Sequence, residues 1–325
     1  MSEQGTSYHG QPVIKEPIWT WEIPMYFFTG GMAGASAGLA YLSGVRGNEV
    51  LARRAWTGAL AGVSVSPLFL ISDLGRPTRF MNMFRMFKVT SPMSVGSWIL
   101  GASGATTTLA AAHAWTGWFP RSARLARPAA ALLGLPLCTY TAALVANTAV
   151  AVWHDARRLL PFVFGSGAAL SAGAAATIAA PPEHAAPARR LALASAALEL
   201  GLTEIMKKQL GEHGEVYSQG TASKFSHLSQ ALILGGSALL AGRGSSSRAA
   251  AVAGGALLGA GALSARWTIF KAGFQSAADP KYVVGPQRRA IERGERKGAA
   301  RRSSNVSEVR PAQGSPATAP IELPA

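Results

Sequence analysis

Charge is what this chain has least of. Only 14% of its residues are Asp, Glu, Lys or Arg, against roughly 25% in soluble domains. A water-facing globule is therefore a poor fit. Acid is scarcer still, with 16 carboxylates against 31 Lys and Arg and a net charge of +15. In a soluble protein that surplus would point to nucleic acid. Here the basic residues stand in short connections and in a C-terminal tail, which points to membrane topology and anionic lipid, with no nucleic-acid partner. Cysteine is nearly missing. The lone Cys138 excludes an internal disulfide, and it excludes an iron–sulfur cluster held by this chain alone. The six histidines lack the spacing of a zinc site. A cleavable leader is not expected, because the first 18 residues are polar and have no basic start followed by a short apolar core.

What the chain does have is long apolar runs. Roughly eight occur, at about residues 22–45, 55–72, 92–114, 129–152, 159–180, 191–210, 225–242 and 249–265. Most are long enough to cross a bilayer as a helix, which takes about 20 residues. Backbone in hydrocarbon must satisfy its own hydrogen bonds, so the runs are helices. The expected fold is all-α, an integral membrane bundle of about eight transmembrane helices over residues 19–275. A polar tail, 1–18, precedes it. A basic tail, 276–325, follows it and has too few large apolar residues to fold. Trp19, Trp21, Trp115, Trp118 and Trp153 mark interface levels. Gly30, Gly34 and Gly38, and later Gly255 and Gly259, recur at the spacing that lets two helix backbones approach closely.

Parity sorts the polar residues. With eight spans, both tails and the connections 73–91, 153–158 and 211–224 share one face. That face gathers Glu22, Asp73, Arg76, Arg79, Arg85, Lys88, His154 and Asp155. The loops hold nine Lys and Arg on this side and ten on the other, so they do not set the orientation. Ten further basic residues from Arg266 to Arg302 favour both termini in the cytoplasm.

Glu199 stands nine residues after Arg190 and eight before Lys207, about 12 Å from either end of its run. A carboxylate there is costly, so it is expected to be neutral or paired and to face the bundle interior. It suits either a proton path or a bridge between helices. Glu204 has a milder explanation in Lys207 or Lys208, three and four residues on.

Three blocks resemble one family. They are WEIPMYFFTGGMAGASAG at residues 21–38, DLGRPTRFMNMFRMFKVTSPMSVGSWIL at 73–100 and VWHDARRLLPFVFGSG at 152–167. Together they are similar to the NrfD/PsrC family, the membrane subunits of polysulfide reductase-like complexes, over roughly residues 19–275. The style of the blocks is similar to the branch found beside formate dehydrogenases. The resemblance implies a bacterial inner-membrane subunit with no iron–sulfur cluster or haem of its own. It also implies a quinone or quinol (menaquinone or ubiquinone) bound near one face. Electrons would pass to or from a four-cluster iron–sulfur subunit and a molybdopterin subunit carrying molybdenum or tungsten.

Quinone chemistry needs hydrogen-bond partners for two carbonyls, a titratable route to water and an apolar slot. The candidates for binding are Glu22, Tyr26, Asp73, Arg76, Trp153, His154 and Asp155, and those for a proton path are Glu199 and Glu204. Each has a plainer account. His154 can be an interfacial histidine satisfied by backbone, and Asp155 can orient it, cap the next segment or pair with Arg158. Asp73 and Arg76 can form an ion pair within a turn punctuated by Gly75 and Pro77. Glu22 and Tyr26, one helical turn apart, can be a water-facing acid and a belt aromatic. A haem between His154 and His227, which share a face, is a further reading. A secondary transporter, a proton conductor or a pure anchor would present much the same sequence.

Overall fold

The computed structural model describes residues 14–284. Every regular element among them is helical. The helices are α1 (Glu22–Val45), α2 (Glu49–Ser72), α3 (Pro92–Thr116), α4 (Pro120–Ala146), the short α5 (Ala151–Asp155), α6 (Leu160–Ala179), α7 (Ala186–Gln209), α8 (Gly220–Arg243) and α9 (Arg248–Ala278). Tighter 3-10 segments lie at Pro77–Phe84, Ala156–Arg158 and Gly211–Ser218. Eight of the helices are long, and α2, α4, α6 and α9 are long and apolar enough to cross a membrane by length and composition. The chain is an all-α, multi-pass membrane bundle. The basic tail from residue 285 onward lies outside the described residues.

The bundle consists of two four-helix rings. In the first, α1 packs on α2, α2 on α3, α3 on α4, and α4 returns to α1. In the second, α6, α7, α8 and α9 close in the same order. α1 and α6 form the join, since α1 also touches α6 and α9 while α6 touches α2 and α4. These two helices share a pattern. Phe27, Gly30, Ala33, Ser36, Ala37 and Gly38 in α1 match Phe162, Gly165, Ala168, Ser171, Ala172 and Gly173 in α6. Their small residues let the helices meet closely. A Cβ added at Gly31 would lie 3.2 Å from that of Ala168, and the rings of Phe27 and Phe164 meet edge to face at 5.5 Å.

α1 and α4 meet backbone to backbone. A Cβ at Gly34 would stand 2.5 Å from the Gly134 carbonyl oxygen. Gly34→Leu should therefore force the helices apart and destabilise the fold by about 1–3 kcal/mol, the usual cost of overpacking. Thermal unfolding in detergent checks this, and an unshifted Tm would mean that the contact gives way freely.

Several helix ends differ from the sequence pattern. α2 begins earlier because the Asn48 side chain caps it, accepting from the Leu51 backbone N–H at 3.1 Å. α4 begins at Pro120, a residue suited to a first helical position. It stops at Ala146, so Trp153, His154 and Asp155 ride on the separate α5 rather than on the end of α4. α8 and α9, expected to be short, run to 24 and 31 residues. The apolar run of α9 continues through Trp267, Ile269 and Phe270, past the arginine where the span was expected to stop.

The two ends of the bundle are unlike. At one end the connections are short, at residues 46–48, 117–119, 180–185 and 244–247. They are laced together: Asn48 Nδ2 donates to the His184 carbonyl at 2.9 Å. The Arg248 guanidinium donates to Thr177, Ile178 and Ala180 carbonyls at the end of α6, where free carbonyls and the helix dipole favour a cation. The other end, which we term the tail face, carries the longer segments 73–91, 147–159 and 210–219. Long connections on a rigid scaffold are where function concentrates.

Candidate functional site

The interior of the second ring holds an ion pair. Glu199 on α7 and Arg266 on α9 are 1% and 2% exposed, and their charged ends approach to 3.9 Å. Ser166 on α6 donates to Glu199 Oε2 at 2.7 Å. Arg266 donates to the Phe164 carbonyl at 2.8 Å and lies 4.3 Å above the Phe164 ring. Gly167 makes the room, because a Cβ there would collide with the guanidinium and come within 2.8 Å of Glu199 Oε2. Three helices thus converge on one buried carboxylate. Glu199 is ten residues short of the end of α7, or about 15 Å from the tail face. Its expected partner in the interior exists, and it is Arg266. Counting Arg266 with the basic tail was wrong, since it is a core residue, and Lys271 likewise belongs to α9. The basic tail that favours cytoplasmic termini is smaller by those two residues.

Glu199 Oε1 and the Tyr217 hydroxyl are buried without hydrogen-bond partners among the described residues. Both residues line one cavity of about 20 Å³, together with Thr203, Ser226, Ser229 and Gln230. That is room for about one water beside these two groups, in a cavity otherwise lined largely by apolar surface. Tyr217 lies in the Gly211–Ser218 segment, and burial pushes its phenol above the ordinary tyrosine range, so it keeps its proton. From Ser226 polar contacts continue outward. Lys207 Nζ donates to Ser226 Oγ at 3.1 Å and to Glu204 Oε1 at 2.8 Å. Gln230 donates to Glu204 Oε1 at 3.1 Å. Glu204 pairs with Lys207, as its spacing predicts, and is exposed. Polar groups therefore extend from Glu199 to the tail face.

The tail-face candidates fall into two groups. The Thr20 hydroxyl contacts the Glu22 carboxylate and lies 2.8 Å from Asp73 Oδ1, bringing the two acids together. The local Asp73–Arg76 pair does not form, and Arg76 is exposed without an ion pair among the described residues. Tyr26, one turn along α1, is fully buried with its ring against Tyr140. Its hydroxyl has no hydrogen-bond partner among the described residues.

The second group centres on α5. Trp153 is a structural post: it is fully buried, donates to the Ile269 carbonyl at 2.7 Å and stacks on Trp19. His154 is exposed and its Nδ1 lies 3.2 Å from the Ala146 carbonyl, the backbone-satisfied arrangement. Asp155 does not orient His154. Its Oδ2 lies 2.7 Å from His213 Nδ1, while His213 Nε2 lies 2.9 Å from the Tyr282 carbonyl. Its arginine neighbour is Arg157 at 3.9 Å, not Arg158. Sequence reasoning passed over His213, Tyr217, Ser166 and Arg266. Of these only Arg266 had a readable signal, the apolar run continuing beyond it.

The block at 73–100 builds an exposed amphipathic surface. Ser91 caps α3 and Pro92 occupies its first turn. Ser94 ties the preceding loop to the helix, donating to the Met86 carbonyl and accepting from the Lys88 N–H, both at 3.1 Å. Met81, Phe84, Met86, Phe87 and Val89 are left exposed beside Arg79, Arg85 and Lys88. Trp98 braces Phe84 and Phe87 from α3. An apolar patch rimmed by charge is the usual mark of an interaction site.

Among curated proteins no match was found. A family model described as polysulfide reductase, NrfD_2, matches residues 5–279, and the chain belongs to that family of membrane subunits of oxidoreductase complexes.

Proposed function

We propose that this subunit exchanges electrons between the quinone pool and an iron–sulfur partner, which serves a molybdenum or tungsten subunit, and that it handles the accompanying protons itself. The observation that carries the reading is the buried Glu199–Arg266–Ser166 centre with polar groups leading to the tail face. Quinone reduction takes up two protons with two electrons, so a subunit serving it needs such a route. Around Tyr26 the residues fit a quinone. A buried hydroxyl with no partner can donate to a carbonyl, and the Glu22–Asp73 pair one turn away can accept or release a proton. A bound quinone would supply the two-electron chemistry. The chain orients it, shields it from water and moves protons between Tyr26, the acid pair and solvent. His154 and Asp155, with His213, form a second titratable cluster at the same face. The surface of segment 73–91 is the docking site for the iron–sulfur partner.

Asp73→Ala and His154→Ala are each expected to lower quinol-driven reduction of the partner's clusters by about 10²-fold, the low end for a lost acid–base group, with the complex still assembled. Unchanged turnover in both variants removes them from the mechanism, and loss of assembly makes their segments docking elements only.

We further propose the bacterial inner membrane, with both termini cytoplasmic. Single cysteines placed in the tails of a Cys138→Ala background should be labelled from the cytoplasmic side. Periplasmic labelling would reverse the orientation and put the docked partner outside. A secondary transporter would also use a midplane ion pair, but its flux would continue without the partner subunit.

A further inference from the structure

The seam between the two rings opens, at the short-loop end, into a groove of about 1000 Å³ between α1, α4, α6 and α7. Its floor is made by residues too small to fill it, among them Gly34, Gly38, Gly134 and Gly165. Gly38 faces open space, with nothing within 4 Å of an added Cβ. Leu42 and Leu135 on its walls are 52% and 67% exposed. From Gly34 to Arg46 the groove follows α1 for about 18 Å, close to the depth of one hydrocarbon leaflet, half of a roughly 30 Å core. In a bilayer an apolar groove of this depth fills with hydrocarbon, since water there would face apolar walls.

The mouth decides which lipid. Arg46 and Arg190 stand there beside Asn48, and among the described residues no carboxylate lines the groove. Both arginines are exposed and neither makes an ion pair among the described residues. Nearby Arg127, by contrast, faces Glu49 at 3.9 Å. Two unneutralised guanidinium groups at headgroup level, above a one-leaflet apolar slot, match a phosphate carrying acyl chains. We propose that this groove is a specific site for an anionic glycerophospholipid, its phosphate held by Arg46 and Arg190 and one acyl chain lying along Gly38 toward Gly34. The site is at the opposite end of the bundle from the quinone-handling residues and does not rest on that reading.

The test uses the full chain, purified in detergent and titrated with phosphatidylglycerol or phosphatidylcholine, with bound lipid counted by native mass spectrometry. Wild type should retain phosphatidylglycerol in preference to phosphatidylcholine. Each arginine near a charged headgroup contributes about fivefold, so Arg46→Gln with Arg190→Gln should weaken phosphatidylglycerol binding about 30-fold and leave phosphatidylcholine unchanged. Gly38→Leu, whose Cβ would meet no atom within 4 Å and whose side chain would enter the path of the acyl chain, should remove retention of both lipids while the thermal transition remains cooperative. Equal retention of the two lipids by wild type would overturn the headgroup assignment. Displacement of the bound lipid by a stoichiometric quinone would assign the groove to quinone instead. Unchanged retention in Gly38→Leu would place the lipid elsewhere on the bundle.

Discussion

Arg266→Leu should leave little folded protein in the membrane, whereas the double variant Arg266→Leu, Glu199→Leu should accumulate. The single change strands a carboxylate that is 1% exposed in a cluster built around its partner. Breaking a buried pair from one side costs about 3–5 kcal/mol, while replacing both partners with apolar groups is often neutral or stabilising. Membrane accumulation and the thermal transition of the purified chain read the two effects. The double variant should regain both, yet should fail to support quinol-driven electron transfer. If Arg266→Leu accumulates and melts as wild type does, the pair is not what joins α7 to α9. If the double variant also turns over quinol normally, the pair is structural and nothing more.

This centre also shows what the sequence could and could not tell. Glu199 was legible from spacing alone, because a carboxylate that far from both ends of an apolar run must find company. The partner was not. Arg266 is also buried, but a charge late in a run of small residues looks like the end of a span, and only the apolar residues after it argue otherwise. The helices were legible because hydrocarbon leaves the backbone no other choice. Their ends depended on local chemistry, on Asn48 as a cap and Pro120 as a starter, which composition averages away. At the tail face, parity put Glu22 and Asp73 at one level, and the structure joins them through Thr20. Parity could not say that Asp155 turns to His213 rather than to its neighbour His154. That choice follows from the direction of α5, and a break in a helix resets direction.

Glu199→Gln separates proton handling from architecture. The amide keeps the size of the side chain and can still accept from Ser166, whose hydroxyl lies 2.7 Å from Oε2. Arg266 keeps the Phe164 carbonyl at 2.8 Å and the face of the Phe164 ring but loses its counter-charge, so stability should fall, by less than in Glu199→Leu because the amide oxygen can still accept a hydrogen bond. What the amide cannot do is take up and release a proton. The complex should still assemble, in lower amount, while quinol turnover per assembled complex falls by about 10²-fold and any coupled pH change in liposomes disappears. Tyr217→Phe provides the second reading. It removes the other polar group lacking a partner in the same cavity and lies away from Arg266, so it should slow turnover without disturbing the ion pair. Glu204→Gln, at the exposed end, should have a smaller effect, because solvent can replace an exposed donor and cannot replace a buried one. Normal turnover and an intact pH change in Glu199→Gln would rule out a relay through this residue. Normal turnover there, together with failed assembly in Glu199→Leu, would make the carboxylate a bridge between helices.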